Sequence, residues 1–259
     1  MPVSIDFNPT AADYSAYRPE FPEGLFARLG AMGVGLPGQR VVDVGTGTGA
    51  LARGFARLGC HVTGVDIADA LLGEARRRDS SAGVGIAYRA APAESTGLPA
   101  GCWDVVAAGQ SWQWFNRPEA AAEARRLLGR TGCLVICHHD YLSLPGNVCA
   151  ATEALILQLN PRWSMAGSTG IYPAWTVDAG QAGFERIETF SFDGVITFSH
   201  EAWRGRMRTC NGIGASLAPE TIAEFDRTLE QLLQEQFPSE TLAVPHRVWA
   251  MVARVPASD

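Results

Sequence analysis

The sequence predicts an α/β protein: a doubly wound, mostly parallel sheet with helices on both faces. Two observations carry this. Short apolar runs alternate with helical patterns along most of the 259 residues, as in a sheet covered on both sides. The run Val41-Val42-Asp43-Val44 breaks into Gly45-Thr46-Gly47-Thr48-Gly49 and then Ala50-Leu51-Ala52, a strand, a glycine turn and a helix start. Such a unit binds a cofactor at the carboxyl edge of an open sheet.

The elements follow in order. Pro19 and Pro22 mark a helix end and a new helix start. Cys60 to Ile67 read as a second strand ending in Asp66, Val84 to Ala90 as a third, and Trp103 to Ala108 as a fourth. A helix from Arg117 to Leu128 precedes a fifth strand, Cys133 to His138. Val148, Leu155 and Leu159 recur at helical spacing within 147–159. Beyond a Trp- and Gly-rich connector, Pro161 to Pro173, come a short helix near 175–182 and a sixth strand, Phe184 to Phe192. Helical pieces His200 to Thr209 and Pro219 to Gln236 precede the last strand, Pro245 to Val255. The expected organisation is a single domain, 1–259: an N-terminal lid (1–36), a cofactor core (37–140), an enlarged pocket region (141–243) and the final strand (244–259).

The glycine loop admits two cofactor classes. Gly45-x-Gly47-x-x-Ala50, with Asp66 about twenty residues on, satisfies the dinucleotide pattern of an NAD(P)-dependent oxidoreductase. A dinucleotide brings a pyrophosphate to the loop, and Asp43, two residues before the first glycine, repels that charge. A cationic, phosphate-free ligand suits an acid there. S-adenosyl-L-methionine (SAM), with a sulfonium and an ammonium, is such a molecule. Asp43-x-Gly45-x-Gly47-x-Gly49 resembles the first motif of the class I SAM-dependent methyltransferases, small-molecule type. The resemblance covers roughly residues 10 to 140.

That resemblance implies a Rossmann-like seven-stranded sheet whose last strand is reversed and inserted between the fifth and sixth, a place that Val248 to Val255 fits, and it implies specific roles. Asp66 accepts the ribose hydroxyls and Ile67 covers the adenine face; Ala93-Glu94 match the family's small-acid pair against the adenine, and Gln110 follows strand four beside the cofactor. Tyr14 and Arg18 match an N-terminal segment of the trans-aconitate and ubiquinone-pathway methyltransferases, where such residues close over the methionine end. Trp112, Trp114 and Phe115 supply apolar walls, while Gln113 stands where related enzymes often carry histidine. A nucleic-acid amino-methyltransferase would carry Asn/Asp-Pro-Pro-aromatic after strand four; here the run is Gly109-Gln110-Ser111-Trp112.

The histidines carry two alternatives. His139, His200 and His246 fall at strand ends that the family's order makes neighbours, with Asp140 and Arg247 close in sequence. Converging, they form a divalent-metal site, or His139 and His246 act as catalytic bases; a metal there would assist C-methylation of a 2-oxo acid. Separately, each is an ordinary hydrogen-bonding residue. His61 begins strand two at the opposite edge and reads as structural.

Composition narrows the partners. A net charge of −6 without a long basic run leaves no phosphate-tracking stripe, so no nucleic acid is expected. The N-terminus lacks a signal-peptide pattern and no apolar run reaches spanning length, so no membrane is expected and the location is read as cytoplasmic. The six cysteines show no C-x-x-C pair and read as reduced core residues. The leading reading is SAM-dependent methylation of a small molecule; a catalytically silent SAM-binding protein is a further alternative. The acceptor and the oligomeric state are not encoded in any motif.

Overall fold

Consecutive buried valines and alanines build the sheet from its centre outward. β1 (Arg40–Val44) pairs in parallel with β2 (His61–Asp66) on one side and β4 (Trp103–Gly109) on the other. The computed structural model describes residues 11–214 and 216–257, so residues 1–10 of the expected lid lie outside the described residues. β3 (Ala87–Ala90) extends the sheet beyond β2, and β5 (Leu128–Tyr141) lies beside β4, both in parallel. With β6 (Glu185–Ser199) and β7 (Thr241–Arg254) the order is β3-β2-β1-β4-β5-β7-β6. β7 is the reversed strand, inserted between β5 and β6 as expected.

Side chains on successive residues point to opposite faces of a strand, and two cores result. Val42, Val44, Val106, Ala108, Leu134 and Ile136 belong to one. Val41, Val105, Ala107, Cys133, Val135 and Cys137 belong to the other. The first is covered by α5 (Arg117–Leu127), through Ala120, Ala124 and Leu127, and by α7 (Ala174–Gln181), through Trp175 and Ala179. The second is covered by α2 (Glu23–Ala31), through Leu25 and Leu29, and by α3 (Ala50–Arg57), through Leu51 and Phe55. Each such buried leucine or phenylalanine contributes about 1.5–3 kcal/mol. Gly54 is required in α3 because the Phe26 ring occupies the space a Cβ would need. α4 (Asp69–Ala82) closes on Gly83, whose φ of 66° supplies the left-handed C-cap.

Contacts divide the chain into two units. The sheet unit comprises 20–139, 171–192 and 248–259. The second comprises 1–19, 140–170 and 193–247, with α1 (Ala11–Tyr17), α6 (Val148–Leu159), α8 (His200–Arg208) and α9 (Pro219–Gln236). Segment 141–243 is therefore not one block, because 171–192 belongs to the sheet unit.

The second unit has its own apolar cluster, including Trp203, Met207, Phe225, Leu229 and Leu233. Polar contacts also tie it together. Trp203 Nε1 donates to Thr152 Oγ1 at 3.0 Å, and Asn147 Oδ1 caps α6 by accepting from the Ala150 amide at 2.9 Å. Arg204 pairs with Asp226 and Glu230, and Arg208 with Asp13 and Asp226. Gly205 faces the ring of Tyr17, so α1 packs on α8 where no Cβ intervenes.

Strand bounds differ most from expectation at four places, one of them β5, which runs from Leu128 to Tyr141 rather than from Cys133 to His138. β6 runs on through Val195-Ile196-Thr197-Phe198, where β-branched and aromatic residues outweigh the interruption that Gly194 signals. β7 begins at Thr241 rather than Pro245. β3 starts at Ala87 rather than Val84, since the chain is still leaving the Gly83 cap.

Candidate functional site

The sheet order reverses at β1, whose neighbours are β2 and β4, so the crevice beyond their carboxyl ends is the switch point where open α/β sheets bind ligands. The loop after β1 fills its floor. Gly45, Gly47 and Gly49 have φ of 65°, 56° and 78°, values that L side chains rarely adopt. Their surroundings differ. A Cβ on Gly45 would lie 2.6 Å from Ser111 Cβ and 2.7 Å from Phe115 Cζ, whereas a Cβ on Gly47 would meet nothing within 4 Å. Gly45 therefore serves packing, and Gly47 is the bare main chain facing open space.

Two acids fasten this loop. Asp43, 1% exposed, accepts from Thr46 Oγ1 at 2.6 Å and from the Ala52 amide at 3.2 Å through Oδ2. Enclosed there, it ties the loop to the first turn of α3. Its Oδ1 is buried with no hydrogen-bond partner among the described residues, an acceptor that a ligand's positive charge would compensate. Burial pushes its carboxyl up to about 7, against the lowering effect of those two hydrogen bonds. Asp66 accepts from the Gly47 amide at 2.8 Å through Oδ2 and from the Ala68 amide at 2.9 Å through Oδ1. Burial raises its carboxyl as well. Each oxygen keeps a second lone pair for a diol. Ile67 beside it is 74% exposed, an apolar side chain standing ready for an aromatic ring.

After β4 the chain turns on Gln110, whose φ of 60° is unusual for a residue with a Cβ. Three hydrogen bonds hold it there. Its amide donates to Cys137 O at 2.9 Å, its Nε2 to His139 O at 2.5 Å, and its carbonyl accepts from Gln113 Nε2 at 3.1 Å. Trp112 was expected to wall the crevice; it is fully buried in the core and donates from Nε1 to Asp178 at 3.1 Å. Trp114, 39% exposed, and the partly buried Phe115 remain available as walls. Ala93 is buried in the same core as Trp112, and Glu94 accepts from the Asn116 amide at 2.7 Å, fixing the start of α5.

Two supports carry no assignment from the sequence. Arg53, buried in α3, donates to Thr48 O at 2.8 Å and pairs with Asp79 at 2.5 Å and Glu20 at 3.1 Å, propping the loop from behind. Ser111 Oγ donates to Val44 O at 3.0 Å, joining the β4 turn to β1. The signal for Arg53 was a cation four residues after Gly49, on the buried side of a helix whose other cation, Arg57, closes its last turn.

The histidines are engaged separately. Among the described residues no group of three or more His, Cys, Asp or Glu is arranged to hold a metal, and the expected centre on His139, His200 and His246 is not found among them. His200 Nε2 lies 3.0 Å from Phe237 O; His246 Nδ1 lies 3.0 Å from Val244 O with its ring stacked on Phe198. His139 is buried with its ring 6.3 Å from that of Phe21. His138 packs against Tyr172 and Trp175. Arg247, rather than joining a histidine cluster, pairs with Asp193 and donates to Thr169 O. Tyr14 and Arg18 belong to the second unit. There Arg18 donates to Thr209 Oγ1 and Thr209 O, each at 3.0 Å, and its guanidinium lies 4.6 Å from the Tyr14 ring centre.

Comparison with known proteins bears on this geometry. Residues 42–136 match the family model described as a methyltransferase domain. A ubiquinone biosynthesis O-methyltransferase of Bordetella avium is 32% identical over 157 residues, covering 58% of this chain and 64% of that protein. Its counterpart in Pseudomonas paraeruginosa is 33% identical over 153 residues, covering 56% and 66%. The matched region thus spans just under two thirds of these curated relatives. Among solved structures, an Anaeromyxobacter dehalogenans protein aligns with a TM-score of 0.65 at 22% identity, covering 93% of this chain and all of that one. Phosphoethanolamine N-methyltransferase 2 of Haemonchus contortus, solved with SAM, aligns at 0.57 and 17% identity, covering 96% and 57%. At these identities the structures establish the fold alone.

Proposed function

We infer that this chain, which belongs by fold and core motif to the class I SAM-dependent methyltransferases, methylates a small molecule using SAM as donor. One observation carries the reading: Asp66 and the open Gly47 main chain, joined by a 2.8 Å hydrogen bond, lie beside the exposed Ile67. That set fits a nucleoside lacking a phosphate at the loop. In the proposed site Asp66 accepts the ribose hydroxyls, Ile67 and the Ala93-Glu94 segment border the adenine, and Asp43 supplies negative charge beneath the loop. SAM supplies a methyl group bonded to a sulfonium; the chain's own part is positioning and exclusion of water.

The O-methyltransferase relatives favour an oxygen acceptor. C-methylation of a 2-oxo acid loses its chelating support, since the three histidines are not grouped. His139 stays as the candidate base of the sheet unit, its main chain fixed by Gln110. Titration calorimetry with SAM and with NAD tests the reading first. SAM binding and formation of S-adenosylhomocysteine with an acceptor panel are expected, and tight NAD binding without SAM binding overturns it. SAM binding without transfer to any acceptor class would favour the silent-binder alternative. His139→Ala is expected to lower turnover at least tenfold while leaving SAM affinity within twofold.

The enclosed Asp43 gives a pH signature. With its carboxyl near 7, much of it is protonated at pH 6 and ionised at pH 8. A cationic ligand favours the ionised form, so binding below 7 must expel a proton. SAM affinity is expected to rise about tenfold from pH 6 to pH 8. Asp43→Asn should show no such rise. Equal slopes in both proteins would remove the electrostatic role.

A further inference from the structure

Arg206 is the buried charge that the proposed chemistry leaves unused. It lies on α8, 5% exposed, and its Nε is buried with no hydrogen-bond partner among the described residues. No acid among them forms an ion pair with it. Three acids of the second unit are turned to other partners: Asp226 and Asp13 pair with Arg204 and Arg208, and Glu153 accepts from the Gly167 amide at 2.9 Å. Its compensation is the face of Tyr141, whose ring centre lies 5.5 Å from the guanidinium. An unpaired buried cation is costly to a fold, and an apolar residue would fill the position without that cost.

What surrounds Arg206 makes a second cation more conspicuous. Arg18 lies near enough to oppose its charge, although repulsion disfavours such a pair unless an anion intervenes. Arg18 spends Nε and Nη2 on Thr209, and its Nη1 makes no hydrogen bond to the described residues. Burial first, then Arg18, brings the Arg206 guanidinium down to about 10, so it stays charged at neutral pH. Burial pushes the Tyr141 phenol upward, which keeps it a neutral O–H donor. Tyr141 ends β5, two residues after His139 on the same strand. Donors predominate here, and an oxyanion is the missing acceptor.

We propose that Arg206, with Arg18 and Tyr141, forms a receptor in the second unit for an anionic oxygen group of a small molecule, a carboxylate or a phosphate. The receptor stands independently of the methyltransferase reading. The chain therefore takes acidic small molecules, and the guanidinium pair selects against neutral analogues of the same shape.

The test titrates the full chain with sodium acetate, sodium benzoate and inorganic phosphate, against chloride at matched ionic strength, following melting temperature and calorimetric heat. A saturable response to a carboxylate or to phosphate, absent with chloride, is expected, and which probe responds identifies the group. Arg206→Gln should weaken that response at least tenfold and Tyr141→Phe about threefold, with SAM affinity within twofold of the parent. Arg206→Met should melt higher than the parent, because it removes an unpaired charge. No saturable response in the parent, an unchanged response in Arg206→Gln, or an Arg206→Met protein that melts lower would overturn the proposal. Failure of the parent to bind SAM would instead overturn the methyltransferase reading and leave the anion result standing.

Discussion

Gly45→Ala is expected to lower the melting temperature sharply and to abolish SAM binding with it. The new methyl would lie 2.6 Å from Ser111 Cβ and 2.7 Å from Phe115 Cζ, distances that force one of those residues to move. Ser111 is not free to yield, since its hydroxyl is bonded to Val44 O. Left-handed backbone at φ 65° costs alanine about 1–2 kcal/mol, and overpacking adds about 1–3 kcal/mol. Together these remove a large fraction of the stability of an ordinary domain. Gly47→Ala separates architecture from recognition, because its methyl meets no protein atom within 4 Å. It should cost only the conformational part in melting temperature, yet weaken SAM at least tenfold. Comparable melting losses in the two variants, with SAM affinity kept in Gly47→Ala, would mean that the open face of this loop does not receive the donor.

Asp66→Ala should weaken SAM by roughly 2–4 kcal/mol, beyond what the ribose hydroxyls alone would lose. Two hydrogen bonds to the diol are worth about 1 kcal/mol each. The same substitution also deprives the Gly47 and Ala68 amides of their acceptor, and donors left without one carry a further cost of about 1–3 kcal/mol unless water reaches them. Asp66→Asn keeps one acceptor oxygen and should fall between the parent and the alanine variant. Calorimetry with SAM and with adenosine separates the contributions: a loss confined to ribose contact appears equally in both. SAM affinity unchanged in Asp66→Ala would end the assignment.

Much of the sheet could be read directly because its signals are local. Alternating or continuous apolar runs, an acid closing β2 and three glycines after β1 each report on a few neighbouring residues. The insertion of the reversed strand between β5 and β6 came from the family resemblance rather than from any pattern in the strand itself. The glycine loop was legible as a loop, but not the division of labour within it. That Gly45 serves Ser111 and Phe115 while Gly47 is open depends on a turn more than sixty residues away. Trp112 illustrates the same gap: a tryptophan after a strand end reads as a wall, and only Asp178 and α5 reveal it as core. The histidine cluster was inferred from strand order, which brings strand ends together without fixing where rings point. His200 and His246 instead lie within hydrogen-bonding distance of carbonyls of Phe237 and Val244. Arg206 sat inside a helix pattern whose solvent-facing arginines look identical in sequence, so its burial was invisible.

The latch between Asp66 and the Gly47 amide has one more implication. A single carboxylate sets the shape of the glycine turn and, in the proposed site, grips the sugar, so the receptor is already formed before its guest arrives. Little ordering is left to be done on association, and sugar preference cannot be retuned at position 66 without deforming the turn as well. Changes meant to broaden donor choice would fare better at Ile67, whose side chain is exposed and borders the base in the proposed site.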